Sequence, residues 1–394
     1  MLSMAGQKVL HLIRDKGLKR RPQTLLFIMS FSSVFYQPKD QARSGRRFSA
    51  TGFRLGITRL LLASFALCTT VLNAQGLVAT FNTAADVPVT ASSYTATGEA
   101  TFSLNFAPTP GTNLTVIKNT GPAFISGQFS NLANGATVRL THNNKIYRFI
   151  AWYYGGQGNN DLVLLWPQTG LAAWGNNGSG QLGDNSTISR PAPVSVEQEG
   201  VLFGKTIVQV AHGGMHSLAL YSDGTVAAWG NNHYGQLGDK TKTQRMIPVA
   251  VNRDAGTSAL AGKIVVAISA GGSHSLALCS DGTIAAWGNN LYIQLGTPDI
   301  FPALSDVPLR VENRATLLWG PSALVGKTVT AIAAGEDHSL ALCSDGTVTS
   351  WGQNSSGQVG NSDWNVKAAL PVAVDRTTSS SALYGKSVVA IACG

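Results

Sequence analysis

Apolar and polar residues alternate in short runs along most of the chain. Phe102, Leu104 and Phe106 alternate with Thr101, Ser103 and Asn105. Tyr147, Phe149, Ala151 and Tyr153 alternate with Arg148, Ile150, Trp152 and Tyr154. A period of two predicts sheet strands. Turn chemistry separates the runs at residues 108–111, 119–122 and 134–135, where Pro, Gly and Asn cluster. No helical period interrupts this part. Residues 75–161 therefore read as a β-rich module.

A long repeat follows. Residues 216–232, His-Ser-Leu-Ala-Leu-Tyr-Ser-Asp-Gly-Thr-Val-Ala-Ala-Trp-Gly-Asn-Asn, recur nearly unchanged at 274–290 and 338–354. Leu162 to Trp166, a turn, and then Leu171 to Asn177 match the repeat in register as a degenerate first copy. The motif tryptophans, Trp174, Trp229, Trp287 and Trp351, are spaced by 55, 58 and 64 residues. Gly-Gln-Leu-Gly or a close variant follows each, at residues 180–183, 235–238, 293–296 and 357–360. Gly-Lys and an apolar run begin at Gly204, Gly262, Gly326 and Gly385. Within one copy, Leu218 and Leu220 mark a strand, Ser222-Asp223-Gly224-Thr225 a tight hairpin turn, and residues 226–229 the return strand. Each copy supplies about four short strands and cannot bury both faces alone, so neighbours must cover it. Radial stacking of four-stranded sheets gives a propeller.

These motifs closely resemble the regulator of chromosome condensation repeat. The resemblance covers about 230 residues and implies blades of a seven-bladed propeller. The fold class is thus all-β: a partial propeller of about four blades at residues 162–394, the last incomplete, behind the β-rich module. At about 58 residues per copy, seven blades need roughly 400 residues. The chain reads as a fragment or early-ended frame, or as a partial ring completed by self-association through its open blade edge. Residues 111–116, 129–132 and 155–162 of the module resemble β units of large secreted bacterial proteins, including autotransporter passengers, where such units are spacers.

Charge adds a destination. Residues 1–60 hold 12 Lys/Arg against 2 Asp/Glu, whereas the rest holds 17 against 18. The net charge of +9 therefore resides in the start of the chain, and the folded part lacks the cation reserve that phosphate binding needs. No nucleic-acid partner is expected. Arg54 and Arg59 precede an apolar run at residues 60–72, followed by Asn73-Ala74-Gln75, the pattern of a secretory leader cleaved after Ala74. The run is shorter than the roughly 20 residues of a membrane span, so no span is expected after cleavage of residues 1–74. Residues 1–53 carry a second apolar stretch at 25–35, which leaves open an extended n-region or a start codon downstream of Met1.

Candidate chemistry is sparse. His216, His274 and His338 occur once per blade, so they spread around the ring and read as structural. Asp223, Asp281 and Asp345 belong to separate hairpin turns. Trp174, Trp229, Trp287 and Trp351 end a strand in each copy and read as packing between blades. Cys279 and Cys343 occupy one repeat position in successive copies, too far apart for a disulfide, and read as small apolar side chains. No catalytic residue, metal site or cofactor is expected. The informative residues vary inside the fixed frame: Gly178-Ser179, His233-Tyr234, Leu291-Tyr292 and Ser355-Ser356 share one loop position. Loops on rigid scaffolds carry binding, which selects His233, Tyr234, Tyr292 and the off-motif Trp364 as contact residues. The expectation is a non-enzymatic, exported, bacterial-type scaffold, secreted or at the cell surface, that binds a protein or a surface glycan. Some proteinaceous β-lactamase inhibitors use a similar propeller, so a secreted hydrolase inhibitor is the alternative. The resemblance also implies the founding member's guanine-nucleotide exchange on a small GTPase, which the leader and the near-neutral folded part oppose.

Overall fold

The computed structural model describes residues 25–26 and 76–394, apart from 157, 168–169, 298–302, 314, 317–319 and 364. The described structure is all β, with one 3-10 turn at Gly200–Leu202. The leader and its cleavage site lie outside the described residues except for Leu25–Leu26, which runs parallel to Gly170–Leu171 beside the first blade.

The N-terminal module begins with two stacked passes of chain. Leu77–Phe81 lies parallel to Ala100–Leu104, Val89–Ala91 to Leu114–Asn119, and Thr95–Ala96 to Ser126–Gly127. Asp161–Leu165, Lys145–Gly155 and Thr137–His142 then extend the Leu114–Asn119 edge as an antiparallel sheet. Phe81, Leu104, Leu114, Ile117, Phe149, Leu162 and Leu164 fill one core. Tyr153 is buried there, its hydroxyl donating to Leu132 O at 2.9 Å and accepting from Phe129 N at 3.0 Å. Desolvation dominates, and the hydroxyl's pKa rises to about 12.

The repeat register pairs Leu162–Trp166 with the second strand of a blade, and here the structure differs. Asp161–Leu165 is hydrogen-bonded on both edges inside the module's sheet, with Leu162 and Leu164 in its core. Those apolar side chains are already covered there, so the first blade starts at Gly170–Gly175 and pairs with Arg190–Ser195.

The next three blades are four-stranded antiparallel sheets in chain order. The second comprises Ile207–His212, His216–Tyr221, Val226–Gly230 and Arg245–Ala250. The third comprises Val265–Ala270, His274–Cys279, Ile284–Asn289 and Leu304–Arg310. The fourth comprises Val329–Ala334, His338–Cys343, Val348–Gln353 and Lys367–Ala373. Their first strands pack against one another and so are innermost. Both faces of each middle sheet are covered, which is why Leu218, Ala219, Leu220, Ala227 and Ala228 are all fully buried.

The module docks on the hairpin-turn end of this array. Asn134 Nδ2 donates to Ser222 O of blade two at 3.1 Å, Asn159 Nδ2 donates to Thr330 O of blade four at 3.2 Å, and Tyr154 packs against the clusters between the blades. Gly135 sits at φ +81° with its missing Cβ only 2.8 Å from Ser222 O, so any side chain would push the two parts apart. The alternation in Lys145–Gly155 explains the joint. Tyr147, Phe149, Ala151 and Tyr153 face the module's own core, whereas Trp152 and Tyr154 join the propeller's clusters.

Candidate binding face of the propeller

The repeated polar residues tie each blade to the next. Ser217 Oγ and Trp229 Nε1 of blade two both donate to Gln181 O of blade one, each at 2.9 Å. Ser275 and Trp287 do the same to Gln236 O at 2.8 and 2.9 Å, and Ser339 and Trp351 to Gln294 O, each at 2.9 Å. One carbonyl with two lone pairs satisfies two buried donors. His216 Nε2 lies 2.9 Å from Ser275 Oγ, and His274 Nε2 lies 3.0 Å from Ser339 Oγ. Each serine proton is committed to the glutamine carbonyl, so the imidazole Nε2–H donates and Nδ1 stays bare. Burial holds the pKa of His216 and of His274 down to about 3, so both rings are neutral. Burial also lowers His338.

Trp229, Trp287 and Trp351 are buried between blades, whereas Trp174 is 41% exposed. The packing reading therefore needs correction at Trp174. Its exposure sets it apart from the three tryptophans that bond a glutamine carbonyl of the preceding blade.

The hairpin aspartates are structural in a way the sequence did not disclose. Asp223, Asp281 and Asp345 pair with Lys205, Lys263 and Lys327 of the Gly-Lys motifs at 2.9, 2.8 and 2.7 Å. Each aspartate also accepts the backbone N–H of its turn threonine. Burial pushes Asp345 up, but Lys327 and Thr347 prevail and bring its pKa down to about 2.

The opposite end carries the variable residues on a constant frame. The asparagine three residues after each motif tryptophan is buried, with Asn177, Asn232, Asn290 and Asn354 Oδ1 accepting from the N–H of Leu182, Leu237, Leu295 and Val359. The motif glutamines close the loop from within: Gln181, Gln236, Gln294 and Gln358 Oε1 accept from the N–H of Ser179, Tyr234, Tyr292 and Ser356. Only backbone N–H groups of these positions enter the bonds, so the frame places no demand of its own on the side chains there. Gly235 allows the loop to turn at φ +79° against the backbone of Asp306 in the next blade.

The structure places His233 exposed and Tyr234 half-buried, their rings edge-to-face at 5.0 Å. Tyr292 holds the same place one blade further and is half-buried. Trp364 lies outside the described residues. Sequence reasoning missed Met215, which is exposed on the inner turn of blade two and accepts a contact from Ser179 Oγ at 3.8 Å. Its signal was variation at the position before the repeat histidine: Met215, Ser273 and Asp337.

Among the described residues no cluster of three His, Cys, Asp or Glu is spaced to hold a metal. A cleft of about 470 Å³ separates the module from blade four, lined by Asn119, Asp161, Thr330 and Asp345 among others. Asp161 is raised by burial and Asp345 is held by Lys327, so these two carboxylates differ in environment.

A repeated frame that hands differing side chains to one open end defines a β-propeller scaffold. The family model described as the RCC1-like domain matches residues 156–394, and the chain belongs to that family. Over 226 residues it is 32% identical to E3 ubiquitin-protein ligase HERC2 of Homo sapiens, covering 57% of this chain and 4% of that protein. Over 269 residues it is 30% identical to Ultraviolet-B receptor UVR8 of Arabidopsis thaliana, covering 68% of this chain and 53% of that protein. The chain thus spans about half or less of these relatives. Among solved structures, human WBSCR16 is similar at 27% identity and TM-score 0.43, covering 52% of this chain and 47% of its own. Yeast RCC1 (Prp20) bound to Kap60 is similar at 25% identity and TM-score 0.39, covering 59% and 46%.

Proposed function

We propose that this chain is an exported, non-enzymatic scaffold that binds a protein through the loop end of its propeller. One observation carries the reading. The N-terminal module covers the hairpin-turn end, and the opposite end presents His233, Tyr234, Leu291 and Tyr292 from loops whose backbones are fixed by buried asparagine and glutamine side chains. His216 and His274 are engaged with the serine of the next blade, and each turn aspartate with a lysine of its own blade, which supports a role without catalysis. The module acts as a spacer that orients the open end outward, in keeping with its resemblance to units of secreted bacterial proteins. The basic and apolar stretch ahead of Gln75 supports export to the cell surface or beyond.

The test is proximity labelling of the full chain in its native cell, comparing wild type with a Tyr234→Ala, Tyr292→Ala double variant. The expected result is a cell-surface or secreted protein captured by wild type and lost from the variant. An unchanged set of captured proteins overturns the assignment of the face.

A further inference from the structure

The loop end carries exposed apolar side chains on successive blades, linked by contacts through its loops. Met215 meets Ser179 at 3.8 Å, and the backbone of Met246 packs against Gly180. Asn231 N donates to Met215 O, and Asn231 Oδ1 in turn accepts His233 N, beside Tyr234. Gly235 then packs on Asp306, and Tyr292 occupies the same place one blade on. Met215, Met246 and Leu291 are 51%, 41% and 54% exposed, which is far from the burial of the same chain's blade interfaces.

Carboxylates without ion pairs gather around this surface, whereas the nearby Lys240 and Arg245 are paired with Asp254 and Asp239. Gln294 bridges the two features, its Oε1 accepting Tyr292 N and its Nε2 donating to Asp337 Oδ1, each at 2.9 Å. Glu336 stands next to Asp337 on the inner turn of blade four, and its backbone carbonyl accepts Gly272 N of blade three. Asp306 lies beside Gly235, between the two tyrosine loops. Other acids of the repeat are matched by cations: Asp184 with Arg190, Asp239 with Arg245, and the three turn aspartates with lysines. Among the described residues no such ion pair forms at Asp306, Glu336 or Asp337. Burial raises Asp337, and the neighbouring Glu336 raises it further. A cation set between them removes that repulsion.

We propose that this surface docks a protein segment in which lysine or arginine adjoins an apolar residue. The apolar side chain would rest on Met215 and Met246, and the cations on Asp306, Glu336 and Asp337 beside Tyr292. The proposal rests on the reading that the loop end is the binding face, and adds the chemistry of its partner. Charge complementarity chooses the occupant, because Asp306, Glu336 and Asp337, none in an ion pair among the described residues, outnumber the one such cation there, Lys242. Thioether side chains suit it, since they adapt to differing apolar shapes.

The full chain is titrated with fluorescein-labelled peptides of alternating Lys-Leu, Glu-Leu and Lys-Ser, read by anisotropy. The Lys-Leu peptide is expected to bind about tenfold or more tightly than either of the others. Glu336→Gln with Asp337→Asn should lose about tenfold in affinity and flatten the salt dependence. Met215→Ser should weaken Lys-Leu without changing the salt dependence. Glu336 is exposed, so Glu336→Gln alone keeps the test valid if the double variant melts early. Glu199→Gln, on a distant loop, controls for net charge. Equal binding of Glu-Leu and Lys-Leu, or equal losses in Glu199→Gln and Glu336→Gln, overturns the proposal. If Tyr234 and Tyr292 still govern capture of the cellular partner in that case, the binding face stands and only its basic partner falls.

Discussion

The N-terminal module and the propeller hold themselves together by different means. The module has a single apolar core under stacked parallel and antiparallel strands, and its sequence never repeats. The propeller distributes its cohesion over joints, each made of a serine, a tryptophan and a histidine meeting the blade beside it. A core of the first kind fails as a whole. Joints of the second kind fail where they are cut, and their polar parts respond to pH. The strongest break in this comparison is Trp287→Ala. It removes a fully buried indole and leaves Gln236 O short of one donor, so a loss of about 3–5 kcal/mol is expected in urea titration. Trp174→Ala, at a position 41% exposed, should cost about 1 kcal/mol or less. Equal costs would mean that the tryptophans do not work through the joints.

Acid should separate the two parts. His216 and His274 have a reference value of 6.5 and are depressed to about 3 by burial. Above pH 6.5 both rings are neutral folded or unfolded, and their joints are fully stable. Below it the unfolded chain takes up protons that the folded chain refuses, so stability falls as pH drops toward 3. Together the two rings should remove about 3 kcal/mol between pH 6.5 and 5. Asp345 is lowered from 3.8 to about 2, so its contribution is lost only below that window. Asp161 in the module is raised by burial, and acid relieves it instead. Hydrogen exchange at pH 5 is expected to show His274–Cys279 losing protection before Leu114–Asn119 does. Gln at both histidine positions keeps an amide donor and should abolish most of the pH slope. A slope unchanged by that replacement would refute the imidazole account.

The same contrast explains what could be read in advance. Repetition exposed the propeller because each residue type recurs where the geometry recurs: the turn at Asp223, the strand end at Trp229, the loop at Tyr234. Repetition also concealed the partners within it. Lys205 lies 18 positions before Asp223, and nothing in the spacing tells a pairing from a coincidence. The register misled at Leu162, because a strand of alternating leucines fits a blade or the module equally well until its hydrogen-bonded neighbours are known. Tyr234 and Tyr292 were legible as variation in a fixed frame. Met215 and the acids of the inner turn were not, since their approach to those loops depends on how successive blades stack.

A third test concerns the seam between the two parts. Trp152 is buried among propeller residues although its strand belongs to the module. Trp152→Ala should therefore weaken the docking by about 3 kcal/mol while leaving the module's core intact. Gly135→Ala, which sets a methyl against Ser222 O at positive φ, should act in the same direction. Limited proteolysis is expected to cut near the seam first, and exchange at residues 222–225 to quicken. If both parts instead unfold together in these variants, they share one cooperative unit, and the comparison between them dissolves.

The smallest expected effect discriminates most finely within the propeller. Lys263 and Asp281 form an ion pair at 2.8 Å with side chains 26% and 52% exposed, and Lys263 also donates to Thr283 Oγ1 at 2.6 Å. Water screens a pair this open, so Lys263→Met should cost about 1 kcal/mol or less. The turn itself keeps its shape, because Asp281 Oδ1 still accepts Thr283 N at 3.0 Å. Asp281→Ala removes both the pair and that bond and should cost more than Lys263→Met. A double-mutant cycle read by urea titration separates the two contributions. A coupling well above 1 kcal/mol would place the lysine–aspartate pair beside the histidine–serine contact as a principal tie of each blade. A coupling near zero would leave the turn to Asp281 and Thr283 alone, and confine the cohesion of the array to the buried joints between blades.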